Sequence, residues 1–202
     1  MAETKGEVDS DGTNITTVTS TIADLFVQNK PEVFQADLIS TTLVSVHPLQ
    51  GQPSIVAREI TFGTPEKGLS LAGQKIELDY DDDLSKYPTF ADFNNAYRRD
   101  RAFFDKHQKT LCRKEGEGKF GEPLPRAPSG YVLTSIVKSI RWRKRTYEGN
   151  RLRLKGFGTV FFGELLLNES NRRLTMVRFA MGSEMGAMAA AGEADPNGDW
   201  AT

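Results

Sequence analysis

The stretch YVLTSIVKSIRWRKRTYEGNRLRLKGFGTVFFGELLL, residues 131–167, decides how the chain is read. Val132 to Arg143 are rich in β-branched and aromatic side chains, the types that fit a pleated, half-buried surface. With a period of two, Ile136, Ile140 and Trp142 share one face. Val137, Ser139, Arg141 and Arg143 share the other, and Lys138 breaks the apolar side. Glu148-Gly149-Asn150 supplies turn residues. Arg151, Arg153 and Lys155 then alternate with Leu152 and Leu154, the mark of a half-buried strand. Gly156-Phe157-Gly158 breaks the chain again, because glycine tolerates the positive φ of tight turns. Thr159 to Leu167 is apolar enough for a central strand, and Arg173 to Met181 reads as a last one. Connections this short exclude crossovers, so the region is an antiparallel meander.

Charge is distributed unevenly around this centre. Residues 131–181 hold eleven Lys and Arg against three Glu, whereas residues 1–89 hold six bases and fourteen acids. A formal net charge of −1 over 202 residues therefore hides a bipolar chain, which bears on partners rather than fold. The hairpin expected about Glu148-Gly149-Asn150 places Arg141, Arg143 and Arg145 on one strand. Arg151, Arg153 and Lys155 fall on the strand paired with it. Six like charges on adjacent strands repel unless something anionic meets them. These six are the partner-binding candidates. An acidic protein surface, including that of a second copy, satisfies them; nucleic acid or phosphate is the alternative. A sequence pI of about 6.2 counts against a dedicated nucleic-acid binder. The bland reading is a solvated face with edge-protecting charges.

Working outward, residues 1–13 read as a disordered tail and 14–112 as a β segment plus helix. Within the latter, Thr16–Thr21 is a strand, Ile22–Gln28 one or two helical turns, and Gln35–Val46 a strand with a kink between Ile39 and Leu43. Ser54–Phe62 is a further strand, and Leu69–Leu71 with Lys75–Tyr80 a hairpin about Ala72-Gly73-Gln74. A helix is expected from about Phe90 to Leu111. Thr89 is its N-cap, Asp92 sits at the capping-box position, and Phe90, Tyr97, Phe104 and Leu111 form a stripe joined by Phe93. Asp100 and His107 interrupt the second row of that stripe. Residues 113–130, with four Gly and three Pro, are a linker or surface loop; 131–191 is the β meander sharing the core, and 192–202 an acidic tail. The alanines near Met185 and Met188 suggest a short helix.

Chemistry is sparse. Asp79, Asp81, Asp82 and Asp83 resemble the start of a Ca²⁺ loop, but Leu84 and Phe90 stand where such a loop needs Gly and Glu. Two histidines, His47 and His107, exclude a His-rich metal site. Cys112 is the single cysteine and lies the wrong way round a helix from His107. The glycine runs have neither phosphate-loop nor dinucleotide spacing. The polar, acidic start is unlike a secretory leader, and no apolar run reaches membrane-span length. The expectation is mainly antiparallel β, a sandwich or open barrel with one substantial packed helix, α+β by a broad definition. It is a cytoplasmic, non-enzymatic interaction or self-assembly module with no cofactor, no metal and no membrane partner. An enzyme built on carboxylates is the remaining class.

Overall fold

The computed structural model describes residues 1–50, 54–64, 67–81, 83–108, 119–123, 132–168, 172–181 and 188–194. The chain opens with six strands: β1 (Ala2–Val8), β2 (Asn14–Asn29), β3 (Glu32–His47), β4 (Ser54–Phe62), β5 (Leu69–Leu71) and β6 (Gln74–Tyr80). Three helices follow, α1 (Asp83–Lys86), α2 (Phe90–Arg99) and α3 (Arg101–Gln108). Then come β7 (Val132–Ser135), β8 (Val137–Trp142), β9 (Arg145–Glu148), β10 (Arg151–Leu154), β11 (Gly158–Leu167), β12 (Arg172–Ala180) and β13 (Met188–Ala194). One sheet runs β1-β2-β3-β5-β6-β8-β9, with β4 also on β3; the other runs β10-β11-β12-β13, with β7 also on β11. The fold is mainly antiparallel β, and among the described residues no closed barrel forms.

Two long strands act as rails. β3 pairs with β2 along its length and, on its other side, with β4 and β5 end to end. Its core-facing residues Phe34, Ala36, Ile39 and Leu43 are buried, while Thr19–Thr42 and Thr21–Ser40 hydroxyl pairs tie β2 to β3 at 3.1 and 2.9 Å. The expected kink is a register shift at Thr42/Leu43. Two expectations fail here. Residues 22–28 continue β2 rather than turning helical, because all of them except Asp24, which sits at φ +52°, find a partner on β3. Residues 1–13 are not simply a tail: Ala2–Val8 pair with Asn14–Ser20 as an edge strand. Every residue of β1 is exposed, so its apolar content never signalled a strand; the ladder hydrogen bonds hold it.

β11 is the second rail, and beside it two strands change sheets. β7 pairs with residues 164–167 of β11, whereas its continuation β8 pairs with β6. The switch is Ile136, whose N–H donates to Gly163 O at 2.9 Å while its carbonyl accepts from Asp81 N–H at 2.7 Å. Residues 145–154 repeat the device. Gly149 N–H donates to Lys138 O at 2.7 Å in the first sheet, and Asn150 O accepts from Phe162 N–H at 2.8 Å in the second. Gly163, with φ +57°, marks the crossing, since a Cβ there would lie 2.5 Å from Ile136 Cγ1. At this point the inward positions of β11 change from Val160 and Phe162 to Leu165 and Leu167. Lys138 is an extra residue in the β6–β8 ladder, where Asp79 opposes Ser139 and Tyr80 opposes Val137. That bulge explains why a lysine interrupts the apolar face.

The inner faces of the two sheets meet through Phe34, Phe162, Phe179 and Phe157, with Phe34 and Phe179 edge-on at 5.0 Å. One apolar cluster contains residues from both halves of the chain. The single helix expected from Phe90 is two. Asp100 takes an extended conformation, and its Oδ1 accepts from the N–H groups of Ala102 and Phe103 at 2.9 and 3.1 Å, starting α3 afresh. Thr89 and Asp92 form the expected box, and Phe90, Phe93, Tyr97 and Phe104 are buried. Leu111, Cys112 and most of 113–130 lie outside the described residues. The alanine-rich end is β13 rather than a helix, because the free edge of β12 gives residues 188–194 a ladder to join; residues 195–202 lie outside the description.

Candidate functional site

The six candidate cations do not share one paired surface. The tight turn falls at Arg143-Lys144, and the expected turn at Gly149-Asn150 is the corner between sheets. Arg141 opposes Thr146, and Trp142 opposes Arg145. Arg151 and Arg153 oppose Phe161 and Thr159 in the other sheet. The mispairing has a simple origin. Glu-Gly-Asn is turn chemistry, but a type I′ two-residue hairpin needs φ > 0 at both central positions, and Arg143 and Lys144 supply it at +49° and +60°. The result is two cationic arms on one bent strand: a turn carrying Arg143, Lys144 and Arg145, and β10 carrying Arg151 and Arg153 with Lys155 beyond it.

Partners divide these cations. Arg141 Nε lies 3.5 Å from Glu77, and Lys138 Nζ 3.8 Å from Asp79. Arg178 is gripped by Glu164 at 2.5 and 2.7 Å and lies 3.8 Å over the Phe161 ring. Arg143 stacks 4.2 Å over Trp142. Among the described residues, Arg143, Lys144, Arg145, Arg151, Arg153 and Lys155 have no carboxylate within ion-pair distance. All six are exposed.

A second cluster lies inside. His107, in the last turn of α3, is 2 % exposed. Its Nε2 is 2.6 Å from Asp83 Oδ2 and 3.9 Å from Asp81 Oδ2, and its Nδ1 is 3.0 Å from Thr134 Oγ1. A carboxylate only accepts, so Nε2–H is the donor to Asp83. Asp81 Oδ1 accepts from Asp83 N–H at 3.1 Å, which sets the turn into α1. The imidazole is walled by Phe103 and Phe93, with centroids 4.2 and 5.2 Å away. Hydroxyl, imidazole and carboxylate follow one another as in an acyl-transfer relay, but Thr134 is 2 % exposed and a substrate carbonyl does not reach it in this arrangement.

The chain belongs to a family described only as a domain of unknown function, DUF8256. The family model matches residues 1–168. No curated protein and no solved structure matches the chain. The match contains all six candidate cations and the Asp81–Asp83–His107 cluster. It stops before β12, yet Leu174, Met176, Val177 and Phe179 of that strand are fully buried. The folded unit of this DUF8256 chain therefore extends past the matched residues.

Sequence reasoning had the parts of the buried cluster without the whole. In the sequence the aspartates resemble the start of a Ca²⁺ loop, and His107 interrupts an apolar stripe and lies the wrong way round a helix from Cys112. That interruption was the available signal: a histidine on a buried helix face needs polar partners. Thr134 and the aspartates lie 24 to 27 residues away, and spacing alone does not bring them together.

Proposed function

We propose that this chain is a non-enzymatic binding module that presents its cationic corner to an acidic protein surface, that of a partner or of a second copy. One observation carries the reading. Arg143 and Lys144 occupy both left-handed positions of the turn, where Asn-Gly would sit with less strain. Strain kept at an exposed turn, with cations that have no carboxylate at ion-pair distance among the described residues, favours a surface that receives anions. Nucleic acid is the weaker reading, because two aromatics that would stack on bases are covered: Trp142 is buried beneath Arg143, and Phe161 lies beneath Arg178. A cytoplasmic location, with the lone Cys112 a free thiol, belongs to the same proposal.

The test is the triple change Arg143→Glu, Arg151→Glu, Arg153→Glu; Arg141 is spared because Glu77 already meets it. Sedimentation at low salt should show associated species, or a poly-glutamate peptide should bind, and either effect should fade as salt rises and vanish in the triple variant. A monomer at all salt concentrations that ignores poly-glutamate would overturn the reading. Binding of a short oligonucleotide but not of poly-glutamate would transfer the corner to nucleic acid.

A further inference from the structure

We infer that Asp81, Asp83 and His107 form a site for one divalent first-row transition-metal ion, held through His107 Nε2 and one carboxylate oxygen from each aspartate. The inference is independent of the cationic corner.

The donor atoms come from two segments far apart in sequence: the turn from β6 into α1, which carries Asp81 and Asp83, and the last turn of α3. All lie within 4.8 Å of one another. The three residues are 7 %, 6 % and 2 % exposed, so this is an interior cluster rather than a solvated acidic surface. A metal with bonds of about 2.0–2.2 Å sets neighbouring ligand atoms roughly 3.0–3.5 Å apart. The Nε2 distances of 2.6 Å to Asp83 and 3.9 Å to Asp81 bracket that value. A rotation of the side chains by well under an ångström equalises them.

The surroundings suit ligation as well as the distances. A metal-bound histidine is fixed by a hydrogen bond at its other nitrogen. Thr134 Oγ1 is in that place, 3.0 Å from Nδ1. A hydroxyl serves in both states. It donates to Nδ1 while Nε2–H faces Asp83, and it accepts from Nδ1–H once Nε2 turns its lone pair to a metal. A carbonyl would serve only the second. Phe103 and Phe93 restrict the ring plane. One imidazole with two carboxylates is a borderline set, suited to Zn²⁺, Mn²⁺, Fe²⁺ or Co²⁺ rather than to the all-oxygen coordination of Ca²⁺. The scarcity of histidine excluded a His-rich site, but this set needs only one.

The test uses the full chain, stripped with a chelator and titrated with Zn²⁺ and separately with Co²⁺. The expected result is one ion per chain, a raised melting temperature, and a Co²⁺ visible spectrum without a thiolate charge-transfer band. Cys112→Ser should leave all three unchanged. His107→Gln and Asp83→Asn should each weaken binding at least ~100-fold, and Thr134→Val about 10-fold, the range for loss of a supporting hydrogen bond. If either ligand variant fails to fold, the wild-type Co²⁺ spectrum and stoichiometry still decide. No binding of either ion, a thiolate band, or full binding by a folded His107→Gln protein would each overturn the inference.

Discussion

Replacing Arg143-Lys144 by Asn-Gly separates strain from function at the turn. Both residues sit at positive φ, +49° and +60°. A left-handed conformation costs an ordinary residue about 1–2 kcal/mol, so relief at two positions is worth roughly 2–3 kcal/mol. Two losses oppose it. The stack of Arg143 on Trp142, exposed on its outer side, is worth about 0.5–1 kcal/mol. Glycine at 144 adds unfolded-chain freedom worth about 0.5–1 kcal/mol. The net expectation is a gain of roughly 0–2 kcal/mol, centred on about 1 kcal/mol, which is ~2–4 °C in melting temperature for a chain of this size. Urea denaturation followed by circular dichroism reads the first quantity, and poly-glutamate binding at low salt reads the second. Stability should rise while binding falls several-fold, because two of the three cations at the turn are gone. If stability falls, the turn is not strained in the way its dihedrals imply. If it rises with binding unchanged, the strain has nothing to do with an anionic partner.

Gly163→Ala should destabilise the fold by about 2–4 kcal/mol, combining a positive φ with overpacking against Ile136 and Val137. Pairing it with Ile136→Ala in a double-mutant cycle in urea should give strongly non-additive losses, and simple additivity would remove the crossing contact from the account. Phe104→Ala should cost about 3–5 kcal/mol, since the ring is buried against Tyr97. Arg98→Ala, on the exposed face, should cost under about 0.5 kcal/mol; equal losses would mean that α2 and α3 bury a different side.

The legible parts of this fold were those in which one strand serves one sheet. Alternation placed Ile140 and Trp142 inward, and turn chemistry placed the Ala72-Gly73 hairpin, because period and turn residues act locally. The corner strands were not legible in the same way. Ile136 continues the apolar pattern without a break, so nothing in the local sequence says that the partners of Ser135 and Val137 belong to different sheets. Gly163 was visible as a glycine in an apolar run, but its purpose depends on a side chain 27 residues earlier. The left-handed turn was hidden for the opposite reason: Arg143 and Lys144 violate the preference by which such turns are found. The helix break at Asp100 was half-visible, as a polar residue in a buried row.

The treatment of the other cations gives the corner its meaning. With 26 bases and 27 acids, the chain has a carboxylate available for nearly every cation. Where a basic side chain stands on a sheet face, it generally receives one. Arg178 has Glu164 on its own sheet, Arg141 has Glu77 directly opposite on β6, and Lys138 reaches Asp79 at the bulge. The Arg141 and Lys138 pairs are exposed and contribute little stability individually, whereas the Arg178–Glu164 pair is largely buried and doubly hydrogen-bonded; all three cancel charge where the sheets need none. The run from Arg143 to Lys155 departs from that pattern on both arms of the bent strand. Glu148, within the run, lies on β9 opposite Ser139 and neutralises none of its neighbours at ion-pair distance among the described residues. A solvated edge needs one or two charges to stop strands from adding to it. Six between Arg143 and Lys155, two of them held at positive φ in the turn, exceed that need, and the excess is what the proposed anionic partner would meet.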